Sequence, residues 1–506
     1  MSDNKRIAKN TIFLYFRMIF LMIISLYTSR VTLKALGTTD YGVYNVVAGI
    51  VTLFTFFNNA LTAGVQRFLN YYLGKKDEAG LKKIFAQSFH VYIFMVIFII
   101  ILCETVGLAL LEFYMSIPQD RMWAARIVYQ LSVIATALSI LRIPFNAVII
   151  AYEKMNFYAY ISIVEGILKL LCAAVLLLIP LDKLIFYALF YLITTVLIYA
   201  IYHIYCSLHF EIINFKWYKD RATLKELMAF SGWNVVGTAA TVLVKQGNNI
   251  LVNKYFGVVY NAALGIATQV TNAISQFLYN FQTAFNPHIV KSYAKKDYDI
   301  LYKFCMRTSK FSFYLMYFVI LPFIINMDFV LKLWLEEVPQ FTEIFVLLLL
   351  VGVIVDAFSG PLWMLVEAEG NIKFYQLVGT VVSFLTFLVI FLAYIMGTPY
   401  FIGLIINDIE LVIFAIWRVF YLKKRVDFPI IHYMKDVFGR SFIIIIVSIT
   451  SVRLIHSMIP GEILRFFITC AFSCVILVIL YFTIGVTNEE RNMIKKFIDK
   501  KLFKHN

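Results

Sequence analysis

The run VYIFMVIFIIILCETVGLALL, from Val91 to Leu111, carries a single charged side chain, Glu104, in 21 residues. A helix of that length spans about 30 Å, the thickness of a bilayer's hydrocarbon core. In lipid the backbone polar groups must be satisfied within the segment or in a closed barrel, and barrel strands are only about ten alternating residues long. The run therefore reads as a transmembrane helix. Similar runs recur along the chain, which is 61% hydrophobic and 15% charged with a mean hydropathy of +0.81. A soluble chain has about half apolar and about a quarter charged residues.

The apolar runs and the charged clusters between them predict an all-α integral membrane protein of 14 transmembrane helices. They lie near 8–35, 42–70, 84–114, 123–151, 157–180, 184–207, 227–256, 260–290, 304–327, 343–367, 374–396, 400–421, 440–458 and 463–486. The first follows Lys5, Arg6 and Lys9 but is too long, and too polar at its far end, for a cleaved signal peptide, so it is expected to be retained. Counted on alternate sides, roughly 28 Lys and Arg fall on the side holding both termini and roughly 8 on the other. Both termini are thus expected in the cytoplasm. The loops around Lys75-Lys76, Lys216 to Lys225, Lys291 to Lys303 and Lys423 to Arg425 contribute most, and they account for much of the +15 net charge without nucleic acid. In the tail, Ile494, Phe497, Ile498 and Phe503 share a face with Lys495, Lys500 and Lys504 between them, a short basic amphipathic helix suited to an anionic leaflet. A solvated terminus is the plainer reading of the same residues.

The six cysteines sit in or at the ends of apolar helices without zinc-type spacing, and the seven histidines are scattered, so no metal site is expected. There is no G-x-x-x-x-G-K-[ST] loop and no G-x-G-x-x-G after a strand, which argues against nucleotide hydrolysis by this chain. The spacing Asp297-Tyr298-Asp299 is a weak metal and nucleotide-sugar signal in a short, basic loop.

An internal repeat organises the chain. Gly37 and Tyr41 recur as Gly257 and Tyr260, and Lys75-Lys76-Asp77 with Leu81 and Lys83 recurs as Lys295-Lys296-Asp297 with Leu301 and Lys303. Pro144, Ala151, Phe157 and Tyr158 recur as Pro361, Ala368, Phe374 and Tyr375. The offsets are about 220 and 217, so helices 1 to 6 match helices 7 to 12. Each unit holds an even number of crossings, which gives parallel repeats related by an axis along the membrane normal. The expected organisation is a six-helix bundle over 1–207, its repeat over 208–425, helices 13 and 14 over 426–486 and a cytoplasmic tail over 487–506.

The repeat duplicates a polar stripe. Asn45, Thr52, Thr55, Asn59, Thr62 and Gln66 recur at helical spacing in the second helix, and Gln269, Asn272, Gln276, Tyr279, Thr283 and Asn286 do so in the eighth. Unpaired polar groups in hydrocarbon cost several kcal/mol each, so such stripes need polar neighbours or water. Hydrogen bonding between helices is one solution. A water-filled cavity is the favoured one, because bases accompany the amides: Arg17 and Arg30 in helix 1, Arg142 in helix 4, and Lys245 opening the run Lys245-Gln246-Gly247-Asn248-Asn249 in helix 7. Lys34 and Arg67 read as interfacial anchors. Of the carboxylates Glu104, Glu165, Asp356, Glu367, Asp408 and Glu410, any can pair with a base, and Asp356 or Asp408 can instead hold a coupling proton or Na+.

Tyr27-Thr28-Ser29-Arg30-Val31, Gly37 to Tyr44, Gln66-Arg67-Phe68-Leu69, Gly232-Trp233-Asn234, Asn280-Phe281-Gln282-Thr283 and Ser359-Gly360-Pro361 together resemble the polysaccharide-biosynthesis transporters of the Wzx type. These belong to the superfamily that also contains MATE multidrug exporters and lipid II flippases. The resemblance runs from about residue 8 to about residue 425. It implies a V-shaped pair of six-helix bundles with helices 13 and 14 appended, in the bacterial inner membrane. It also implies a non-enzymatic flippase that moves an undecaprenyl-diphosphate-linked oligosaccharide for O-antigen, capsule or exopolysaccharide assembly, without a cofactor. Glycosyltransferases and a polymerase of the same pathway are the implied partners. The substrate-binding candidates are Arg30, Lys245, Asn249, Arg17, Arg142, Asn59, Gln66 and Gln276. A MATE-like cation antiporter is the alternative, less favoured because its cavity would suit carboxylates better than bases. A membrane polymerase or ligase would need a long extracytoplasmic loop, and the longest here, near 328–342, is too short to hold an active site.

Overall fold

The structure, a computed structural model, describes residues 3–53, 75–152, 154–213, 244–283, 295–370, 372–487 and 489–491, with single positions within 65–73, 215–242 and 285–293; side chains are described from residue 18. Every regular element among the described residues is a helix. Ten helices are long and apolar enough to cross a bilayer, and the chain is a multi-pass membrane protein. They match the expected helices 1, 3 to 6, 9 to 11, 13 and 14. Val258–Thr283 (26 residues) and Ile402–Val426 (25 residues), where helices 8 and 12 are expected, are also long enough to cross. Their Asn, Gln, Asp and Arg content keeps them out of the apolar set. Helix 7 is described over 244–256, and helix 2 is described continuously only as far as Leu53. The segment 328–342, expected as a loop, instead begins inside a nine-residue helix, Met327–Leu335, which buries Met327, Leu331 and Leu335 on one face. Its i, i+4 apolar spacing was present in the sequence.

The elements used below are α1 (Asp3–Leu53), α2 (Glu78–Leu102), α3 (Met122–Leu141), α4 (Ile143–Ala151), α5 (Met155–Val175), α6 (Lys183–His209), α7 (244–256), α8 (Val258–Thr283), α9 (Tyr298–Ile325), α10 (Met327–Leu335), α11 (Thr342–Glu369), α12 (Ile372–Ile395), α13 (Ile402–Val426), α14 (Ile430–Met458) and α15 (Glu462–Gly485).

Local geometry repeats with the sequence. Gly37 (φ 74°) breaks α1 into two arms and Gly257 (φ 92°) separates α7 from α8, both in a region that side chains with a Cβ rarely adopt. Lys76 (φ 55°) and Lys296 (φ 58°) take the same left-handed turn. Each is followed by an aspartate that caps the next helix: Asp77 accepts from Gly80 N–H at 2.9 Å, and Asp297 from Ile300 N–H at 3.4 Å. Asp297 thus has a structural role that the sequence spacing had left open to a metal.

The chain divides into two compact units. The first comprises Met1–Ile266, Pro339–Thr342 and Leu377–Gly403; the second comprises Ala267–Val338, Glu343–Gln376 and Leu404–Asn506. In the first unit Phe85, Phe145, Tyr129, Ile149 and Val148 fill the core of the leading bundle. Beyond α2 the chain continues through two π-turns, and Tyr129 Oη donates to the Cys103 carbonyl at 2.7 Å where the first begins. At the end of the bundle that carries Gly37, Arg121 grips Asp40 and Asp182 together, at 2.6–2.7 Å and 2.9–3.1 Å. Asp182 also caps α6 through the Leu184 and Ile185 N–H groups.

Burial opposes ionisation of Asp182, but the Arg121 guanidinium and those N–H groups hold its carboxyl below the usual range. The resulting stabilisation is fully present above about pH 4 and is lost as pH falls through the depressed value. Thermal melts of the purified protein should therefore fall on the acid side, and less steeply for Asp182→Asn, which keeps the cap but not the charge. Equal acid-side slopes would contradict this assignment.

In the second unit α14 and α15 pack on α9. Tyr317 hydrogen-bonds Ser448, Tyr481 Oη donates to the Tyr314 carbonyl, and Thr469 donates to Asn326 Oδ1, all at 2.8–2.9 Å. Arg440 donates to the Ile484 carbonyl at 2.8 Å where α15 ends in a π-turn. The free helix-end carbonyls there accept a base, as helix C-termini favour.

Candidate functional site

At the Gly37 end of the first unit, parts of both repeats meet without intervening side chains. An ideal Cβ on Gly42 would lie 2.1 Å from the Val258 carbonyl oxygen, one on Gly49 2.5 Å from Asn249 Nδ2, and one on Gly265 2.8 Å from the Asn45 side chain. Asn45 and Gly265 are 220 residues apart, the offset of the sequence repeat. A ladder of amides seals the contact. Ser116 N–H donates to Asn253 Oδ1 (2.8 Å), Asn253 Nδ2 to Asn261 Oδ1 (3.0 Å), and Asn261 Nδ2 to Asn249 Oδ1 (2.6 Å). Asn253 and Asn261 are fully buried, which such pairing makes tolerable. Asn249, a substrate-binding candidate, is engaged in this ladder, and Asn45 Nδ2 returns to the Tyr41 carbonyl at 2.7 Å. These two members of the polar pattern serve packing.

Further along α8 the pattern changes. Asn272, Gln276, Tyr279 and Thr283 are all exposed, at spacings of four, three and four that place them on one face. The Asn272 and Gln276 amides have no hydrogen-bond partner among the described residues, and Tyr279 is 65% exposed. Amides left open on a membrane helix require water or a polar ligand. Lys245, on α7, is exposed as well, and Arg30, on the first arm of α1, is half-buried. Arg17 lies on α1 with its side chain outside the described residues; Asn59 and Gln66, with Thr55, Thr62, Arg67 and Asn286, lie outside them altogether.

Arg142 is inside the first bundle rather than open. It donates to Glu165 at 2.8 Å, Lys169 donates to the other oxygen of the same carboxylate at 2.8 Å, and the guanidinium lies over the Tyr202 ring. Lys169 was absent from the sequence candidates, although its i, i+4 spacing from Glu165 was there to be read.

The second unit holds the two carboxylate candidates. Asp356 on α11 is exposed, and Asp408 on α13 is half-buried beside Gly352 of α11. One turn from Asp356, Pro361 has no N–H to give the Ala357 carbonyl, and Gln282 Nε2 approaches that carbonyl at 3.3 Å instead. Gly360 makes room, since a Cβ there would sit 2.2 Å from Gln282 Oε1. Arg418 reaches the same stretch of α11 from α13. It donates to Tyr375 Oη (2.6 Å), the Ser359 carbonyl (2.8 Å) and Ser359 Oγ, with Trp363, Tyr375 and Phe414 around the guanidinium. Sequence reading passed over Arg418, whose partners Ser359 and Tyr375 lie 59 and 43 residues away. The two bundles share a device here: an arginine ties the helix carrying the repeated proline to a neighbour, Arg142 to Tyr202 in the first and Arg418 to Ser359 in the second.

No protein-family model and no curated protein matches this sequence. Solved structures match its fold. Lipid II flippase MurJ, in an inward closed conformation, aligns with a TM-score of 0.62 at 13% identity, covering 94% of this chain and 98% of its own. An inward-facing multidrug resistance MATE family transporter of the MOP superfamily aligns at 0.59 and 12% identity, covering 81% of this chain and 94% of its own. A MOP superfamily transporter from Pyrococcus furiosus, described as having a binding pocket of reverse polarity, aligns at 0.55 and 13% identity, covering 82% and 96%. The chain therefore has the fold of MOP superfamily transporters.

Proposed function

We propose that this chain is a flippase that carries an undecaprenyl-diphosphate-linked oligosaccharide from the cytoplasmic to the outer leaflet of the bacterial inner membrane, for surface-polysaccharide assembly. The observation that carries the proposal is the open polar face of α8, Asn272, Gln276, Tyr279 and Thr283, on a helix long enough to span the bilayer. A hydrated face of amides and a phenol suits sugars, and the exposed Lys245 adds charge for a diphosphate. The fold likeness extends over more of this chain for the lipid II flippase than for the MATE transporter, in keeping with two helices beyond the twelve of the repeats.

In this reading residues 1–207 and 208–425 are the two bundles, and they rock about the substrate without covalent chemistry. The diphosphate and any acidic sugars enter the hydrated cavity while the polyprenyl chain stays in lipid. Arg30 and Lys245 bind the head group, with Arg17, Gln276, Asn59 and Gln66 along its path, and Asp356 or Asp408 takes up a coupling H+ or Na+. Glycosyltransferases and a polymerase act before and after it. A second reading, a MATE-like cation antiporter, draws on the exposed carboxylate of Asp356.

Alanine at Arg30 or Lys245 separates these readings. Arg30→Ala and Lys245→Ala should each build up lipid-linked oligosaccharide at normal membrane abundance, Arg30→Lys less so, because lysine cannot grip phosphate bidentately. Normal export from both alanine variants at normal abundance would remove the head-group assignment, and a loss of cation resistance instead would favour the antiporter.

Orientation has its own test. Single cysteines in a cysteine-free background at Glu78→Cys, Ala222→Cys and Val426→Cys should resist an impermeant maleimide in intact cells, whereas Glu337→Cys should react. Labelling of the first two from outside would reverse the topology.

A further inference from the structure

Glu104, the single charged side chain of the run from Val91 to Leu111, is exposed. It follows α2 within the continuous span Glu78–Tyr114, the most apolar of the ten, and shares a face with the exposed Ile97, Ile101 and Thr105. That face suits lipid, where a carboxylate is costly and needs a partner. Gln130 on α3 supplies one, donating from Nε2 to Glu104 Oε2 at 3.1 Å. The other carboxylate oxygen and the amide oxygen of Gln130 have no hydrogen-bond partner among the described residues.

A second pair repeats the arrangement nearer Tyr114. Arg126 on α3 donates to both oxygens of Glu112, from Nε at 2.5 Å and from Nη2 at 2.6 Å, and stays 53% exposed. On α3 the exposed Trp123, Arg126, Gln130 and Ile134 follow at spacings of three, four and four, which puts them on one face. Trp123 suits the head-group level, where aromatic belts form, and Gln130 lies seven residues, about 10 Å, further along the helix. Both carboxylates sit in π-turns, Glu104 in Cys103–Gly107 and Glu112 in Leu110–Tyr114, a local widening frequent at functional sites. Acceptors on one helix thus stand beside donors on its neighbour at two depths.

We propose that this outer face, formed by the Glu78–Tyr114 span and α3, is the interface through which two copies of the chain pair in the membrane. Copies of one membrane protein share an orientation, so a twofold axis between them stands along the membrane normal and keeps every residue at its own depth. Glu104 of each copy then faces Gln130 of the other, and Glu112 faces Arg126. The patch is its own complement, as an isologous contact requires. The open oxygen of Glu104 takes the second N–H of the opposite Gln130, and Ile97, Ile101 and Ile134 pack around the bonds. An anionic lipid head group fits less well, because Glu104 repels it and lies below its level. The interface does not depend on the transport reading, since it involves neither the polar face of α8 nor Lys245.

Counting subunits tests the interface. The full chain, labelled with one fluorophore and reconstituted at low density in phosphatidylethanolamine–phosphatidylglycerol vesicles, should bleach in two steps. Combining Glu104→Leu with Gln130→Leu suits lipid on both helices and leaves the bundle core untouched. It removes two symmetry-related hydrogen bonds and should raise the protein-to-lipid ratio for half dimerisation about tenfold. Ile101→Cys and Ile134→Cys, each one turn deeper than the Glu104–Gln130 pair, provide a readout that keeps the polar patch. Placed on two differently tagged, otherwise cysteine-free copies, they should form a mixed disulfide on oxidation, whereas Phe467→Cys, exposed on α15, should join neither. Single-step bleaching of the wild type overturns the interface. So does a double leucine variant that pairs as tightly as the wild type, or a dimer in which the two cysteines never join. Rapid labelling of Thr105→Cys by an impermeant maleimide would mean that this face lines water, and overturns it as well.

Discussion

Lys310→Ala is expected to destabilise the second unit by about 3–5 kcal/mol, the usual effect of removing one partner from a buried ion pair. Lys310 is 2% exposed and lies on α9 against Glu490, itself 6% exposed. Glu490 has a second task. Its carboxylate accepts from Thr487 N–H at 2.8 Å while Thr487 Oγ1 accepts from Glu490 N–H at 3.4 Å, the reciprocal pairing of a capping box. One carboxylate thus starts the segment after α15 and anchors it to α9. Lys310→Ala leaves that carboxylate buried without its main cation, with Arg307 at 3.7 Å the nearest substitute. Chemical or thermal unfolding of the purified protein measures the loss. Combining Lys310→Met with Glu490→Leu should recover much of it, because an apolar pair needs no desolvation of charge. A wild-type melting profile for Lys310→Ala would mean that the pair is hydrated and contributes little.

Gly42→Val is expected to abolish export. The built Cβ meets the Val258 carbonyl oxygen at 2.1 Å, and backbone cannot give way as the end of a side chain can. The α1–α8 contact would have to part, at a cost of about 1–3 kcal/mol for overpacking, enough to shift a two-state equilibrium about 5- to 150-fold. Under the proposed cycle this is the outward gate, so the variant would stay open there. Ala262, fully buried on α8, reports the change. Ala262→Cys in a cysteine-free background should resist an impermeant maleimide with Gly42 present and react in Gly42→Val. Gly49→Ala should be milder, since its obstacle is the Asn249 amide, which can rotate. Normal export from Gly42→Val would show that this contact does not move in transport.

Much of this was legible in the sequence because lipid imposes a strong rule: every crossing must be a run of apolar residues that satisfies its own backbone. The ten apolar spans follow from that rule, and so do the paired turns at Lys76 and Lys296, where a repeat at fixed offset predicts a repeat of geometry. Periodicity, however, gives the face of a helix and not what lies across from it. Asn249 and Gln276 looked alike in the sequence, yet the first is bonded to Asn261 and the second is open. Whether a mid-helix base is paired depends equally on contacts distant in sequence. Arg418 meets Ser359 and Lys310 meets Glu490 across 59 and 180 residues, respectively. Lys169 with Glu165, four residues apart on one helix, could by contrast have been paired by spacing alone.

The central claim is that the cargo is a lipid-linked oligosaccharide, and depletion of this chain in its own cells tests it most directly. Polyprenyl-diphosphate-linked oligosaccharide, extracted and quantified by mass spectrometry, should rise several-fold as surface polysaccharide falls. Both should return when the wild-type chain is re-expressed, but not with Lys245→Ala at equal abundance. If the lipid-linked pool and the surface polysaccharide stay unchanged on depletion while sensitivity to cationic compounds increases, the flippase account is wrong and the antiporter reading replaces it.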